Sequence, residues 1–551
     1  MKIPSISLFA TLLVTGAAVA VAPCLSAQPL PGERLGKVSF AVSCAPGEQA
    51  SFNRGVALLH DFWYAEAGPQ FERIVAADPG CAMAHWGIAM SAFHQIWDRP
   101  DAARLELGSA EVEKAQALGA KTERERDYVA ALATFYKPEY PDYQARVTAY
   151  SAAMGRLYAK YPRDVDAGAF YALSLLASVA PNDTSLTQAH KAMAVLTPLF
   201  RKYPDHPGLI HYIIHSCDNP SMAREALPAA ERYGTVAASG PHAVHMAGHI
   251  FARLGMWPED ITAQLGSIHA SETAEAEHES GITDEPHSYD FLMYAYLQSG
   301  QDAKAKAVLT ESAAALDRID AMKDMGRGHR GDMDGYYRTK FPVFYTLEMR
   351  DWKAASALEP VAGALPENAS MTWWARAIAD GHLRRAAAAQ ADRAQFEALV
   401  EAMRSGPDAY EADSTGMQIQ KGEVAAWASY AAGRKDEALR SMRAAADLQD
   451  KVGQGEVDIP AREMLGDMLL DLHQPREALA EYRVALRLSP NRLNGLYHAG
   501  MAAEEAGDQS AAGQYYSALL RSTDAGKESG RPDLAHARSF MGKGGMRSAG
   551  R

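Results

Sequence analysis

The chain has 551 residues, of which 48% are hydrophobic and 22% charged, ample material for one long array or several buried cores. Its formal net charge is −13. A nucleic-acid role would need a local basic stripe, and the sequence has none; an acidic balance of this kind speaks to solubility before partner choice.

The first element is a leader. Lys2 is the only charge before an apolar run from Ile6 to Val21, too short to span a bilayer. The run ends at Leu25-Ser26-Ala27, where the small Ser26 and Ala27 fit a signal-peptidase site before Gln28. A lipoprotein reading of Cys24 is weaker, because Pro23 precedes it. Residues 1–27 are therefore read as a signal peptide, and the mature protein as periplasmic or secreted, with no transmembrane span. Cleavage leaves Cys44, Cys81 and Cys217. An oxidising compartment permits one bridge and one spare thiol, and stacking of the first two hairpins would join Cys44 to Cys81; the alternative is three buried thiols.

After a lead-in at 28–47, an array of helical hairpins is expected over 48–322. Gly55, Leu58, Ala67, Phe71, Ile74 and Pro79 mark the first hairpin, and CAMAHWGIAMSAFHQIW begins the second. Residues 99–160 are helical but irregular, with apolar residues at helical spacing. Pro162 and Pro204 each close a hairpin. The Gly- and Asp-rich stretch 323–335 reads as a loop or boundary. Degenerate hairpins follow at 336–415, then regular repeats at 416–525. There Leu465, Gly466, Leu469, Ala478, Tyr482, Ala485 and Pro490 set a pattern that Ala499, Gly500, Ala503, Gly507, Ala512 and Tyr516 begin again. Residues 526–551 read as a short helix and a frayed tail.

These spacings resemble the tetratricopeptide (TPR) repeat, whose 34 residues carry small residues at positions 8 and 20, an aromatic at 24 and Pro at 32. The resemblance covers most of the mature chain. It implies an all-α, TPR-like helical-hairpin solenoid, a right-handed superhelix with first helices lining its concave face. It also implies that positions 2, 5, 9, 12 and 13 of each first helix point into that groove.

Nine of the 18 histidines fall between His206 and His287. In the repeat starting at Pro207, His211, His215 and Asp218 take positions 5, 9 and 12. In the repeat starting at Pro241, His242, His245 and His249 take 2, 5 and 9. In the next, His287, Asp290 and Tyr294 do the same. Residues 3 and 4 apart share a helix face, so three successive helices turn His and Asp one way. His60 and His94 at position 13 of the first two repeats, and Asp166, are outlying candidates. His206 caps or borders the groove, whereas His269 and His278 lie off the first helices.

Imidazole is the commonest transition-metal ligand near neutral pH, and i,i+4 pairs suit one ion. His211, His215, His242, His245, His249, His287 and Asp290 are therefore candidate ligands for Zn, Cu, Fe or Ni, with Asp218, Tyr294, His60 and His94 at the border. Seven groups exceed one tetrahedral site, which leaves some to orient others or to serve a second ion. HYIIH lacks the Glu of the HExxH peptidases, and no dinucleotide or P-loop motif is present. Helical spacing turns Cys217 away from the histidine face, which weakens a Cys–His nucleophile pair. Two functions remain open: a metalloprotein or metal-dependent enzyme, and a non-catalytic scaffold that holds a peptide or partner protein in the groove. For the leader, N-terminal sequencing of protein from its native host is expected to read from Gln28; a sequence beginning at Met1 would remove the export reading.

Overall fold

A computed structural model describes residues 32–548, apart from 97–98, 181–182, 278–283, 322–332, 407–408, 454, 456 and 524–528. The leader, His278 and most of the Gly/Asp-rich boundary lie outside the described residues. Among the described residues the secondary structure is helical, without a β-strand.

Hairpins succeed one another along the chain. They pair α1 (Gln49–His60) with α2 (Tyr64–Ala77), α3 (Ala82–Phe93) with α4 (Ala102–Leu118), and α5 (Glu123–Tyr136) with α6 (Tyr143–Lys160). Next come α7 (Val165–Ala177) with α8 (Thr187–Lys202), α9 (Pro207–Cys217) with α10 (Ala223–Val236), and α11 (Pro241–Leu254) with α12 (Trp257–Ala276). The second half pairs α13 (Glu285–Gln298) with α14 (Asp302–Ala321), α15 (Met333–Glu348) with the short α16 (Trp352–Ser356), and α17 (Pro366–His382) with α18 (Ala386–Met403). It ends with α19 (Thr415–Ala431) and α20 (Lys435–Val452), α21 (Ala461–Asp471) and α22 (Pro475–Leu488), α23 (Leu493–Glu505) and α24 (Gln509–Ser522), and α25 (Pro532–Ser548). First helices also stack on each other, as α7 on α9, α9 on α11 and α11 on α13. This is an all-α, TPR-like solenoid.

The small residue at position 8 has a visible reason. A Cβ on Gly55 would stand 2.7 Å from the Phe71 ring; on Gly466, 2.7 Å from Tyr482; on Gly500, 2.4 Å from Tyr516. The aromatic at position 24 packs directly onto that backbone, so no side chain fits between. Sharp starts help too. The three histidine-bearing helices α9, α11 and α13 each carry Pro in the first turn, where no intrahelical donor is lost.

The solenoid does not stay open. Helix α1 packs against α9, eight helices later in the chain. The approach is close enough that a Cβ on Gly208 would stand 2.3 Å from the His60 ring. The lead-in straps this closure: Lys37 N–H donates to the Asp205 carbonyl (2.8 Å), and Ser239 N–H to that of Arg34 (3.0 Å). Phe40 packs against Phe52 and Trp86, and Ser43 N–H donates to Glu125 (2.6 Å). A Cys44–Cys81 disulfide, Cα atoms 4.8 Å apart, ties the strap to the start of α3, while Cys217 stays a buried thiol.

The second half closes likewise, with α13 meeting α23. Leu493 N–H donates to Gln298 (2.9 Å), and the buried Arg492 reaches Tyr294, Glu348 (2.8 Å) and Glu463 (2.7 Å). Two apolar cores result, one filling each half, joined by a seam of Ala252, Trp257, Phe291, Tyr294, Ala295 and Val457. The final stretch, read from sequence as short helix and tail, forms the 17-residue α25, whose Leu534 and Ala537 are buried in the second core. No helix among the described residues is long and apolar enough to cross a membrane.

Glu423, on α19, sits in that second core and accepts a hydrogen bond from the Trp374 indole (2.7 Å). Burial, with the nearby Asp458 charge, raises its carboxyl to about 8. The folded state thus keeps a proton that the unfolded chain releases near pH 4.5. Stability contributed by this proton is full below that pH and is lost as pH rises toward 8, at about 1.4 kcal/mol per pH unit. Glu423→Gln keeps the indole acceptor and removes the proton, so denaturant titrations from pH 5 to 8 are expected to show a shallower loss of stability in the variant. Parallel profiles would place the proton elsewhere.

Candidate functional site

Six histidines meet where α9, α11 and α13 lie side by side. Their rings form one continuous row. His211 lies 4.7 Å from His215 and 5.1 Å from His242, centroid to centroid. His242 lies 6.0 Å from His245, which lies 4.8 Å from His249 and 4.4 Å from His287. Ligand atoms fall into two groups, His211/His215/His242 and His245/His249/His287, with the atoms of each group within 4.8 Å of one another. His211, His242 and His245 are fully buried, while His215, His249 and His287 are slightly exposed.

Each group is backed by a phenylalanine. Phe62 lies 4.2 Å from His211, 5.4 Å from His215 and 5.6 Å from His242. Phe291 lies 4.9, 4.7 and 5.3 Å from His245, His249 and His287. Phe62 occupies position 15 of its repeat, the turn position held by Gly255 and Gly300 in later ones. Like them it is left-handed, with φ 58° against 64° and 71°. A bulky side chain there carries about 1–3 kcal/mol of backbone strain, which the packed rings offset.

Hydrogen bonds decide which nitrogen of each ring faces the row. His211 Nδ1–H donates to the His60 carbonyl (2.6 Å), which leaves Nε2 as a lone pair; that atom is buried and has no hydrogen-bond partner. His245 Nδ1–H donates to Gln264 Oε1 (2.7 Å), and the Gln264 amide is oriented by its own bond to Asp260 (2.8 Å). His249 Nδ1–H donates to Asp218 (2.9 Å), which Arg253 anchors from the other side (2.9 Å). The Nε2 atoms of His245 and His249 then face each other at 2.9 Å. At that distance the two nitrogens need a proton or a metal cation between them. Two ligands on one tetrahedral ion, with bonds of 2.0–2.1 Å, stand roughly 3.3 Å apart. Second-sphere acceptors on Nδ1 are the usual means of aiming Nε2 at a metal.

Burial sets the charge. It pushes His211 and His242 well below the ordinary imidazole value, with their neighbouring imidazoles adding to the effect. Neutral rings keep the lone pairs that ligation needs.

Behind the row lies a third cluster. Asp166 Oδ1 accepts from His60 (3.1 Å) and His206 (3.2 Å), and His60 Nδ1 pairs with the Tyr212 hydroxyl (2.8 Å). Burial lowers His60 to about 4, so it is neutral. Burial alone would raise Asp166, but the bonds from His206 and His60 hold it below the usual carboxylate range. The same His60 whose ring closes α1 onto α9 thus offers its carbonyl to orient His211.

Other expected site residues stand differently. Asp290, expected among the ligands, is engaged by the buried Lys340 ammonium. Tyr294 is buried in the seam and donates to the Asp458 carbonyl (2.9 Å). His94 packs on Tyr64 (4.4 Å), itself stacked on Phe62 (5.4 Å), so it lies two rings away from the row. Asp218 does stand at the border. Gln264 escaped the sequence reading, although it left a trace. In the Pro241 repeat, positions 20 and 24, normally Ala and an aromatic, hold Asp260 and Gln264. Gly248 makes the room: a Cβ there would stand 1.9 Å from the Gln264 amide nitrogen.

No protein-family model matches the chain, and no curated protein matches it. Among solved structures, a human IFIT1 dimer with m7Gppp-AAAA aligns over 80% of this chain and 90% of its own, at 12% identity and a TM-score of 0.35. A Naa15/Naa10 complex bound to HypK-THB aligns over 90% of this chain and 73% of its own, at 13% identity and a TM-score of 0.23. At these scores the superpositions are too loose to carry fold or function from one chain to another.

Gln264→Leu would remove the acceptor of His245 Nδ1–H and the donor to Asp260 while keeping the volume. Stranding such buried groups costs about 1–3 kcal/mol each. Denaturant titration of metal-free protein at pH 7 is expected to show a loss of about 2–6 kcal/mol for the two groups together; unchanged stability would mean that Gln264 does not hold the ring.

Proposed function

We propose that this protein is an exported metalloprotein that holds a pair of transition-metal ions in its histidine row. His211, His215 and His242 bind one, and His245, His249 and His287 the other. The observation that carries the reading is the tautomer pattern. Nδ1 of His211, His245 and His249 is held by an acceptor on the protein, which turns the opposite nitrogen of each ring away from that acceptor and brings Nε2 of His245 and His249 within 2.9 Å of each other. Three imidazoles suit Zn, Cu, Fe or Ni. Three protein ligands on a four-coordinate ion leave one position for water or substrate, the arrangement of catalytic and not of closed structural sites. Of the six rings, His215, His249 and His287 are the ones with some exposure, which supports access from that side. The disulfide between Cys44 and Cys81 supports an oxidising, exported setting for the chain.

The scaffold reading, a peptide or partner protein in the groove, draws on the TPR-like fold alone. Fully buried His211, His242 and His245 offer a peptide nothing to touch.

Metal analysis tests the proposal. Protein purified without chelator and dialysed is expected to carry two transition-metal ions per chain by elemental mass spectrometry. His211→Ala and His245→Ala are each expected to retain one, and the double variant none. A wild-type protein that takes up no metal on titration would end the metal reading; one ion shared by all six rings would end the paired arrangement.

A further inference from the structure

The cluster behind the row is a chain of hydrogen bonds whose directions are all fixed. The Asp166 carboxylate only accepts, so His60 and His206 each turn an Nε2–H toward it (3.1 and 3.2 Å). Neutral His60 then carries a lone pair on Nδ1, and the Tyr212 hydroxyl donates to it at 2.8 Å. A phenol thus faces a base that a carboxylate supports from behind, the order in which a proton can leave the phenol.

No substrate can reach that phenol, but an electron can. Tyr212 and His60 are 0% exposed and Asp166 3%, so the hydroxyl meets only protein. Tyr212 follows His211 on α9, and its ring lies 5.6 Å from that imidazole, a ligand in the metal reading. Its buried neighbours lack this combination. Tyr150 has Met90 Sδ for its hydroxyl, at 3.8 Å, and no base. Tyr233 lies 5.4 Å from His211 but donates to Asp61, whose carboxyl burial pushes well above the usual range, toward the protonated form that takes no further proton. Tyr212, His60, Asp166 and His206 together cost desolvation that an apolar filling of the same junction would not.

We propose that Tyr212 is a redox-active tyrosine, which gives one electron to the ion at His211/His215/His242 as its phenolic proton crosses to His60 Nδ1. The O–H bond breaks and an N–H bond forms. The phenol becomes a neutral radical, His60 an imidazolium beside Asp166, and the ion falls by one oxidation state. The oxidant is a peroxide: it draws two electrons from the ion and, with two protons from solvent, becomes two waters, and Tyr212 returns one of those electrons. Such an ion is Cu or Fe, since Zn has no redox chemistry. The electron acceptor rests on the metal reading; the proton-coupled tyrosine does not.

Metal-free protein at pH 7 tests the tyrosine by itself, with a photogenerated ruthenium(III) polypyridyl complex as one-electron oxidant and electron paramagnetic resonance of frozen samples as readout. A persistent tyrosyl radical is expected in the wild type, absent in Tyr212→Phe and kept in Tyr150→Phe, with far-UV circular dichroism unchanged in both. Asp166→Asn keeps an acceptor for His60 but not the charge that holds its imidazolium, so the radical is expected to form at least roughly tenfold more slowly. No radical, a radical that survives Tyr212→Phe, or one untouched by Asp166→Asn would overturn the redox tyrosine, whatever the metal content. In copper- or iron-loaded protein, hydrogen peroxide is expected to raise the same radical without light, and again not in Tyr212→Phe. Loaded protein that gives no radical with peroxide would overturn the ion as acceptor while leaving the metal sites and the tyrosine standing. Protein that binds neither metal would overturn the acceptor together with the metal reading, and leave the photochemical result to decide the tyrosine.

Discussion

Helix α1 can reach α9 only because residue 208 is glycine. The His60 ring sits where any Cβ at that position would be, stacked on Phe170 at 4.5 Å and bonded to Asp166 and Tyr212. Four hairpins must turn through a full circuit for this contact to form. Once it forms, the inner faces of α1, α7 and α9 become an interior. The lead-in, the Cys44–Cys81 bridge and the Tyr233–Asp61 hydrogen bond (2.8 Å) all reinforce the same junction. A solenoid that stayed open would leave its histidines in water, titrating near their ordinary value. Closure removes that water.

Removing the water has an electrostatic consequence. A buried imidazole is cheaper to hold neutral than charged, and a neutral imidazole has one donor and one acceptor. Where the donor goes fixes where the lone pair points. In three rings of the row the donor goes to an acceptor outside it: a helix-end carbonyl, a side-chain amide and an anchored carboxylate. The fold therefore spends Gln264, Asp260, Asp218 and Arg253 on aiming nitrogens. Asp260 shows the cost, since burial raises its carboxyl to about 8. Such residues do little for packing that a Leu or Phe would not do better, which is why their placement reads as preparation for a ligand.

The second half uses the same architecture with a different filling. Its interior carries ion pairs, Arg492 with Glu348 and Glu463, and Arg350 with Asp467 (2.8 Å). Buried pairs of this kind specify geometry more than they stabilise. Arg492, at the start of α23, also bonds the Tyr294 hydroxyl on α13, the helix that brings His287 to the row. The two halves meet again where Trp257 donates to the Asn491 carbonyl (2.9 Å) and Asn491 returns a bond to Gly255 (3.1 Å). His287 is thus positioned by packing that begins some 200 residues downstream.

Local periodicity determined a great deal by itself. Helix is a local structure, so Gly55, Phe71, Gly466 and Tyr482 at repeat spacing were enough to announce the hairpins, and spacings of 3 and 4 were enough to put His211 with His215 and His245 with His249 on shared faces. Neighbouring hairpins stack in order, so the meeting of α9, α11 and α13 was legible too. What a register cannot carry is closure, because bringing α1 to α9 depends on the summed curvature of every hairpin between them. Hence the burial of the row, the orientation of His211 by a carbonyl 151 residues away and the joining of His60 to Asp166 and His206 came only from the tertiary structure. The same limit explains Asp290: its helix position pointed it toward the histidines, but Lys340, on a helix beyond the Gly/Asp-rich boundary, engages it. Spacing along one chain fixes which residues share a face; only packing between distant segments fixes what that face meets.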